Sequence, residues 1–158
     1  MPRRWPVLAG KVAVLAAVTL AALVPTVLLT FLAGQAVLGD KGISLADDGV
    51  LRAVLGTAGY LAGVGVLGMA LGFLLRNIAA ALTTVVAILL IVPGVVSLLP
   101  DNWSDTIAPY LPSNAGQALM NLGTDLRLLS PTAGATVVLG WLLILLSHAA
   151  IQLRHRDA

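Results

Sequence analysis

The side chains able to do chemistry are few, and most stand at the ends of apolar runs. The carboxylates are seven Asp with no Glu, beside nine Lys or Arg, two His and no Cys. The missing Cys removes a thiol nucleophile, a disulfide framework and any thiolate metal site. His148 and His155 are one heptad apart on a similar helical face, but two imidazoles without carboxylate partners fall short of a zinc donor set. The stretch GQAVLGDK at 34–41 comes near the phosphate-binding loop pattern. Asp40 occupies the place of the required Lys, and the stretch closes an apolar run instead of joining a strand to a helix. Neither a serine nucleophile elbow nor HExxH is present. These residues predict no enzyme, no metal site and no cofactor held by this chain.

The elements that carry them are long and apolar. Of 158 residues, 59% are hydrophobic and 10% charged, where a soluble domain carries about 25% charged residues. The apolar residues run on instead of alternating, which is the pattern of a chain solvated by lipid. A hydrocarbon core of about 30 Å takes about 20 residues of helix. Such runs lie at about 12–38, 51–75, 78–99 and 132–153. The expectation is an all-α membrane protein of about four transmembrane helices forming one permease-like domain over 1–158. Pro25 predicts a kink or tilt in the first span, and Pro93-Gly94 a break in the last third of the third. The first run outlasts the about 7–15 apolar residues of a signal peptide, and no Ala-x-Ala site follows it, so it is expected to be retained.

Four crossings place Arg3, Arg4, Lys11, Arg76, Arg154 and Arg156 on one side, against Lys41, Arg52 and Arg127 on the other. Asp40, Asp47, Asp48, Asp101, Asp105 and Asp125 fall on that second side, with Asp157 alone on the first. The positive-inside rule then predicts cytoplasmic termini. The Ala, Val, Leu and Gly bias, with two lysines only, resembles GC-rich bacterial coding, so the expected membrane is a bacterial inner membrane.

Spans associate through small residues that let backbones approach. Gly56, Gly59 and Gly63 follow i, i+3, i+7 on one face of the second span. Gly65, Gly68 and Gly72 repeat the spacing on roughly the opposite face. All six are expected to pack neighbouring helices and make this span a central one. The Arg76-Asn77 link predicts a tight helical hairpin. Between spans three and four, 100–130 predicts a short outer helical hairpin. Its first piece starts with Asp101 as cap and carries Trp103, Ile107 and Tyr110 on one face. Its second starts with Ser113 as cap and stops at Gly123. Trp103 and Tyr110 would anchor it among headgroups. Within the spans, Thr19, Thr26, Thr30, Gln35, Thr57, Tyr60, Thr83, Thr84, Ser97, Thr136 and Ser147 are polar. Hydroxyls there bond their own helix or a neighbour, or line a path. His148 is the one titratable intramembrane side chain, near enough to the end of its span to snorkel out.

The run LRAVLGTAGYLAGVGVLGMALGFLLRN at 51–77 resembles the central span of bacterial ABC-2-type transporter permeases. The continuation to YLPSNAGQAL at 110–119 and the close, with Trp141 and the terminal RHRDA, are also similar to them. PRRWPVLAGK at 2–11 resembles the segment that leads from their cytoplasmic coupling region into the third span. The resemblance implies the permease subunit of a bacterial ABC exporter for a hydrophobic or amphipathic substrate. It implies as partners an ABC ATPase subunit, which binds the ATP, and a second permease copy or paralogue. Membrane lipids are expected contacts and nucleic acid is not. The chain departs from the family in lacking the first two of six spans and most of the coupling helix. That departure fits either a late start codon or a truncated paralogue, and it puts the coupling surface in doubt. Arg3, Arg4 and Trp5 read as a remnant of that surface or, equally, as positive-inside charges with an aromatic anchor. The competing class is a non-transporting accessory, assembly or immunity-type membrane protein. A small proton-driven antiporter would need a membrane carboxylate.

Overall fold

The computed structural model describes residues 5–123 and 128–155. Among them every regular element is helical. Four helices are long and apolar enough to cross a membrane: Ala9–Lys41, Val50–Leu75, Ile78–Val96 and Pro131–Gln152. The chain is a multi-pass all-α membrane protein.

Helix α1 (Trp5–Leu38) has 34 residues, about 51 Å at 1.5 Å each. It begins seven residues before the expected span at 12, because Pro6 sits in the first turn, where its missing N–H removes no bond. Lys11 is therefore on the helix and not ahead of it. The helix runs on through Pro25, and the Thr26 hydroxyl donates to the Ala22 carbonyl at 2.7 Å in the same stretch. A single 3-10 turn, Gly39–Lys41, ends it. In the following link Gln35 Oε1 accepts from the Ile43 amide at 2.7 Å, and an Asp47 carboxylate oxygen accepts from the Ser44 amide at 2.8 Å.

Gly49, at φ +80°, turns the chain into α2 (Val50–Leu75). A side chain there would be strained, since φ > 0 suits glycine. The far end of α2 closes with Arg76 at φ +53°, its amide returning to the Gly72 carbonyl at 3.0 Å. Asn77 then caps α3 (Ile78–Val96), its Oδ1 accepting from the Ala80 amide at 3.2 Å. The tight Arg76-Asn77 hairpin is present. Pro93 does not break α3. A π-helical turn at Ala87–Ile91 precedes it, with the Val92 amide donating to the Ala87 carbonyl. An inserted residue of this kind relieves the clash between a proline ring and the carbonyl one turn back. The helix stops at Val96, short of 99.

Two short helices follow, α4 (Asp101–Ile107) and α5 (Pro112–Met120), joined by the 3-10 turn Ala108–Tyr110. The expected caps are displaced, by one residue in α4 and by two in α5. Pro100 and Leu111 hold the N-cap positions, while Asp101 and Ser113 lie in the first turns. The stop comes at Asn121 instead of Gly123, with Asn121 Oδ1 accepting from the Gly123 amide at 2.9 Å. The last helix is α6 (Pro131–His155).

Helix α2 is the hub, packed by α1, α3, α5 and α6. Four of its ten buried positions are alanine, Ala53, Ala58, Ala62 and Ala70. Toward the Arg76 side, Leu67 and Leu71 join Ala81 of α3, with Leu142 and Leu145 of α6 against them. Helix α1 leans on α2 alone for most of its packing. Val14, Val18 and Leu29 stay exposed, a face turned to lipid.

Candidate functional site

The feature with most structure outside the spans' regular packing is α5. Although it is only 9 residues long, its Pro112, Ala115, Gly116 and Ala118 are all buried. Its neighbours reveal its depth. Gly56 and Tyr60 lie about 9 and 15 Å along α2 from the Asp101 side, and Trp141 about 15 Å along α6. Gly56 meets Leu119, Tyr60 meets Gly116, and Trp141 meets Tyr110. Lower-numbered residues of the hairpin therefore lie deeper, so α5 runs antiparallel to α2. Its first turn stands near the middle of an about 30 Å core. Helix α5 also touches the π-helical turn of α3. The hairpin thus enters from the Asp101 side, turns around at 108–111 and climbs back: a re-entrant hairpin.

Non-helical backbone at membrane depth survives only where protein or a water-filled path covers it. Here protein covers it closely. A methyl group on Gly56 would stand 2.7 Å from the Leu119 carbonyl oxygen, and one on Gly134 of α6 would stand 2.6 Å from that of Ala115. A methyl on Gly116 would fall within 2.2–2.4 Å of Tyr60 ring atoms, so the ring lies flat over the glycine. Small residues on three helices let these backbones meet.

Polar contacts complete the seat. Arg52 donates Nη1 to the Leu119 carbonyl at 3.2 Å and Nη2 to that of Asn121 at 3.1 Å. A guanidinium here satisfies carbonyls at the C-terminal end of α5 and sits at the negative pole of its dipole. At the deep end, Trp141 Nε1 donates to the Tyr110 carbonyl at 3.1 Å, and Asn114 Nδ2 to that of Ala108 at 2.9 Å. Helix α4, by contrast, has no buried residue. Trp103 is 65% exposed, as a side chain meeting lipid headgroups would be. Tyr110 is 57% exposed but stands at the deep turn beside Trp141, so it is not the headgroup anchor expected of it. Beside the outer end of α5, Val27, Phe31 and Gln35 of α1, Val54 and Thr57 of α2 and Met120 bound a cavity of about 440 Å³.

The six glycines singled out in α2 divide differently from the two expected faces. Gly56 meets α5, Gly63 lies 3.6 Å from Leu142 of α6, and Gly68 lies 3.7 Å from Val85 of α3, each measured from an added Cβ. Gly59, Gly65 and Gly72 have nothing within 4 Å by the same measure. Trp5 is the first residue of α1, and Arg3 and Arg4 lie outside the described residues. The serine and threonine hydroxyls within the spans bond back to their own helices, as with Thr57 to Ala53 at 2.8 Å, Thr84 to Ala80 at 2.8 Å and Ser147 to Ile144 at 2.8 Å. His148 does likewise, its Nδ1 lying 2.9 Å from the Ile144 carbonyl oxygen. Among the described residues no three His, Asp or Glu side chains come together as a metal site.

Sequence reasoning passed over Arg52, Tyr60, Gly116 and Gly134 as parts of one site. A signal was available for Arg52: it stands inside the start of an apolar run, where a cation needs a partner. No family model, no curated protein and no solved structure matches the chain.

Proposed function

We propose that this chain is the membrane-spanning subunit of an ABC-type exporter, moving a hydrophobic or amphipathic compound across a bacterial inner membrane. A separate ATPase supplies the energy, and a second copy or a paralogue completes the passage. The chain itself performs no covalent chemistry. The observation that carries this reading is the re-entrant hairpin seated between α2 and α6. Broken helices reaching the midplane are a feature of transporters, because they place irregular backbone beside a route for substrate. The resemblance of 51–77 and 110–119 to ABC-2-type permeases falls on this seat and its central helix. The apolar cavity beside Met120 suits a greasy cargo. The spans carry no carboxylate for proton or sodium coupling, which fits an engine in another chain. The charge asymmetry supports cytoplasmic termini, where such an ATPase would dock.

Affinity purification of the tagged full chain from its native membrane should bring down an ATPase. In proteoliposomes the pair should hydrolyse ATP and move a lipid-like dye. Recovery without any ATPase, together with no ATP-dependent flux, would sink the proposal in favour of an accessory role.

A further inference from the structure

Near the Arg76 side, one face of α1 forms an open groove of about 800 Å³, lined by Val7, Gly10, Val14 and Val18 with Met69 of α2 at its edge. Its walls are apolar except for Lys11. From Val7 to Val18 the groove follows α1 for about 16 Å, close to the depth of one leaflet's hydrocarbon, about 15 Å. Lysines on a helix lean toward its N-terminus, which carries the Lys11 ammonium back toward the membrane surface. There it lies 5.7 Å from the centre of the Phe73 ring. Arg76, one turn beyond Phe73 and exposed, adds a second cation at this end of the bundle. The described acids Asp40, Asp47, Asp48, Asp101 and Asp105 all sit at the opposite end of the helices. Lys11 therefore faces lipid with an aromatic ring beside it and no described carboxylate at its end of the fold.

We infer that this groove binds one anionic phospholipid of the adjoining leaflet, with its phosphate on the Lys11 ammonium and an acyl chain lying along Gly10, Val14 and Val18. Charge selects the headgroup, since a zwitterionic lipid offers the ammonium a phosphate already paired with its own cation. The length of the groove selects a lipid over a soluble phosphate, which would leave the apolar wall uncovered. The inference is independent of the transport reading, because it uses only the groove and the charges beside it.

The test is native mass spectrometry of the purified full chain in detergent, titrated with phosphatidylglycerol or phosphatidylcholine. The parent should retain phosphatidylglycerol in preference to phosphatidylcholine. Lys11→Gln should lower phosphatidylglycerol retention about five-fold, the weight of one basic residue near an anionic surface. Lys11→Arg should keep it, which guards against a mere folding defect. Gly10→Trp should also lower retention, because an added Cβ at Gly10 meets nothing within 4 Å and the indole would fill the groove. Lys41→Gln, at the far end of α1, should change nothing. Equal retention of the two lipids by the parent, parental binding by Lys11→Gln or Gly10→Trp, or an equal loss in Lys41→Gln would overturn the inference. So would a parent that isolates as a lipid-free dimer, since a second copy would then cover the groove.

Discussion

Trp141 donates its indole N–H to the carbonyl oxygen of Tyr110 across 3.1 Å, tying the last span to the turn at the deepest point of the hairpin. That carbonyl belongs to irregular backbone about 15 Å from the end of α6, where no water competes for it. Trp141→Phe keeps the packing of an aromatic ring and removes the donor. Interhelical hydrogen bonds in membranes are worth about 0.6–2 kcal/mol, so the variant should lose about 1 kcal/mol. Hydrogen exchange should report it as faster exchange confined to 108–116, with the spans unchanged. Uniformly faster exchange across the chain would mean that the bond does not act locally.

Arg52 makes the matching contact at the other end of α5. Its two bonds, to Leu119 and Asn121, join positions 67 and 69 residues apart in sequence. Arg52→Ala frees both carbonyls at the membrane edge, where water can partly replace the guanidinium. The cost should stay near about 1–2 kcal/mol, read as a lower thermal midpoint in detergent. Arg52→Lys should recover only part of it, because an ammonium lacks the planar fork that reaches two acceptors at once. Full recovery by lysine would show that charge at the helix end, and not the fork, is what matters.

Glycine substitutions separate seats from bystanders. At Gly134 a methyl would stand 2.6 Å from the Ala115 carbonyl oxygen and 2.9 Å from the Ala118 Cβ. Backbone on the far side cannot swing away, so Gly134→Ala should cost about 1–3 kcal/mol through overpacking. Gly56→Ala, facing the Leu119 carbonyl at 2.7 Å, should cost a similar amount. Gly59→Ala has open space around its new methyl and should gain up to about 1 kcal/mol from helix propensity. Thermal unfolding of the three variants in one detergent decides the order, and a neutral Gly134→Ala would contradict the close approach of α5 and α6.

The contrast between Gly59 and Gly134 also marks what could be read from the chain. Spans were legible because about 20 consecutive apolar residues leave helices as the way to satisfy the backbone in lipid. The Arg76-Asn77 hairpin was legible because a polar pair between two such runs leaves no room for anything longer. Glycine spacing identified α2 as a packing helix, but not which glycines pack, since that depends on where neighbours stop. Alanines such as Ala58 and Ala70, each at 0% exposure, carry much of the close packing and blend into the composition. The seat of α5 joins Arg52, Tyr60, Gly134 and Trp141 through contacts between distant segments, which leave no local pattern. Pro93 misled for a related reason: the remedy, an inserted residue at Ala87–Ile91, lies one turn before the proline in sequence that looks uninterrupted.

Orientation rests on charge and can be tested directly, because the chain contains no Cys and any introduced thiol stands alone. Asp40 follows α1, Asp101 begins α4, and Asn77 lies in the α2–α3 link; all three are exposed. The described structure puts Asp40 and Asp101 at one end of the helices and Asn77 at the other. Single variants Asp40→Cys, Asp101→Cys and Asn77→Cys, expressed in intact bacteria, should therefore fall into two classes with a membrane-impermeant maleimide. With Lys and Arg concentrated on the Arg76 side, the positive-inside rule expects the two Asp positions to label from outside and Asn77 only after lysis. The reverse pattern would keep the fold and invert the topology, moving any cytoplasmic ATPase to the α4–α5 face. Labelling of all three from outside would contradict the four-span arrangement itself.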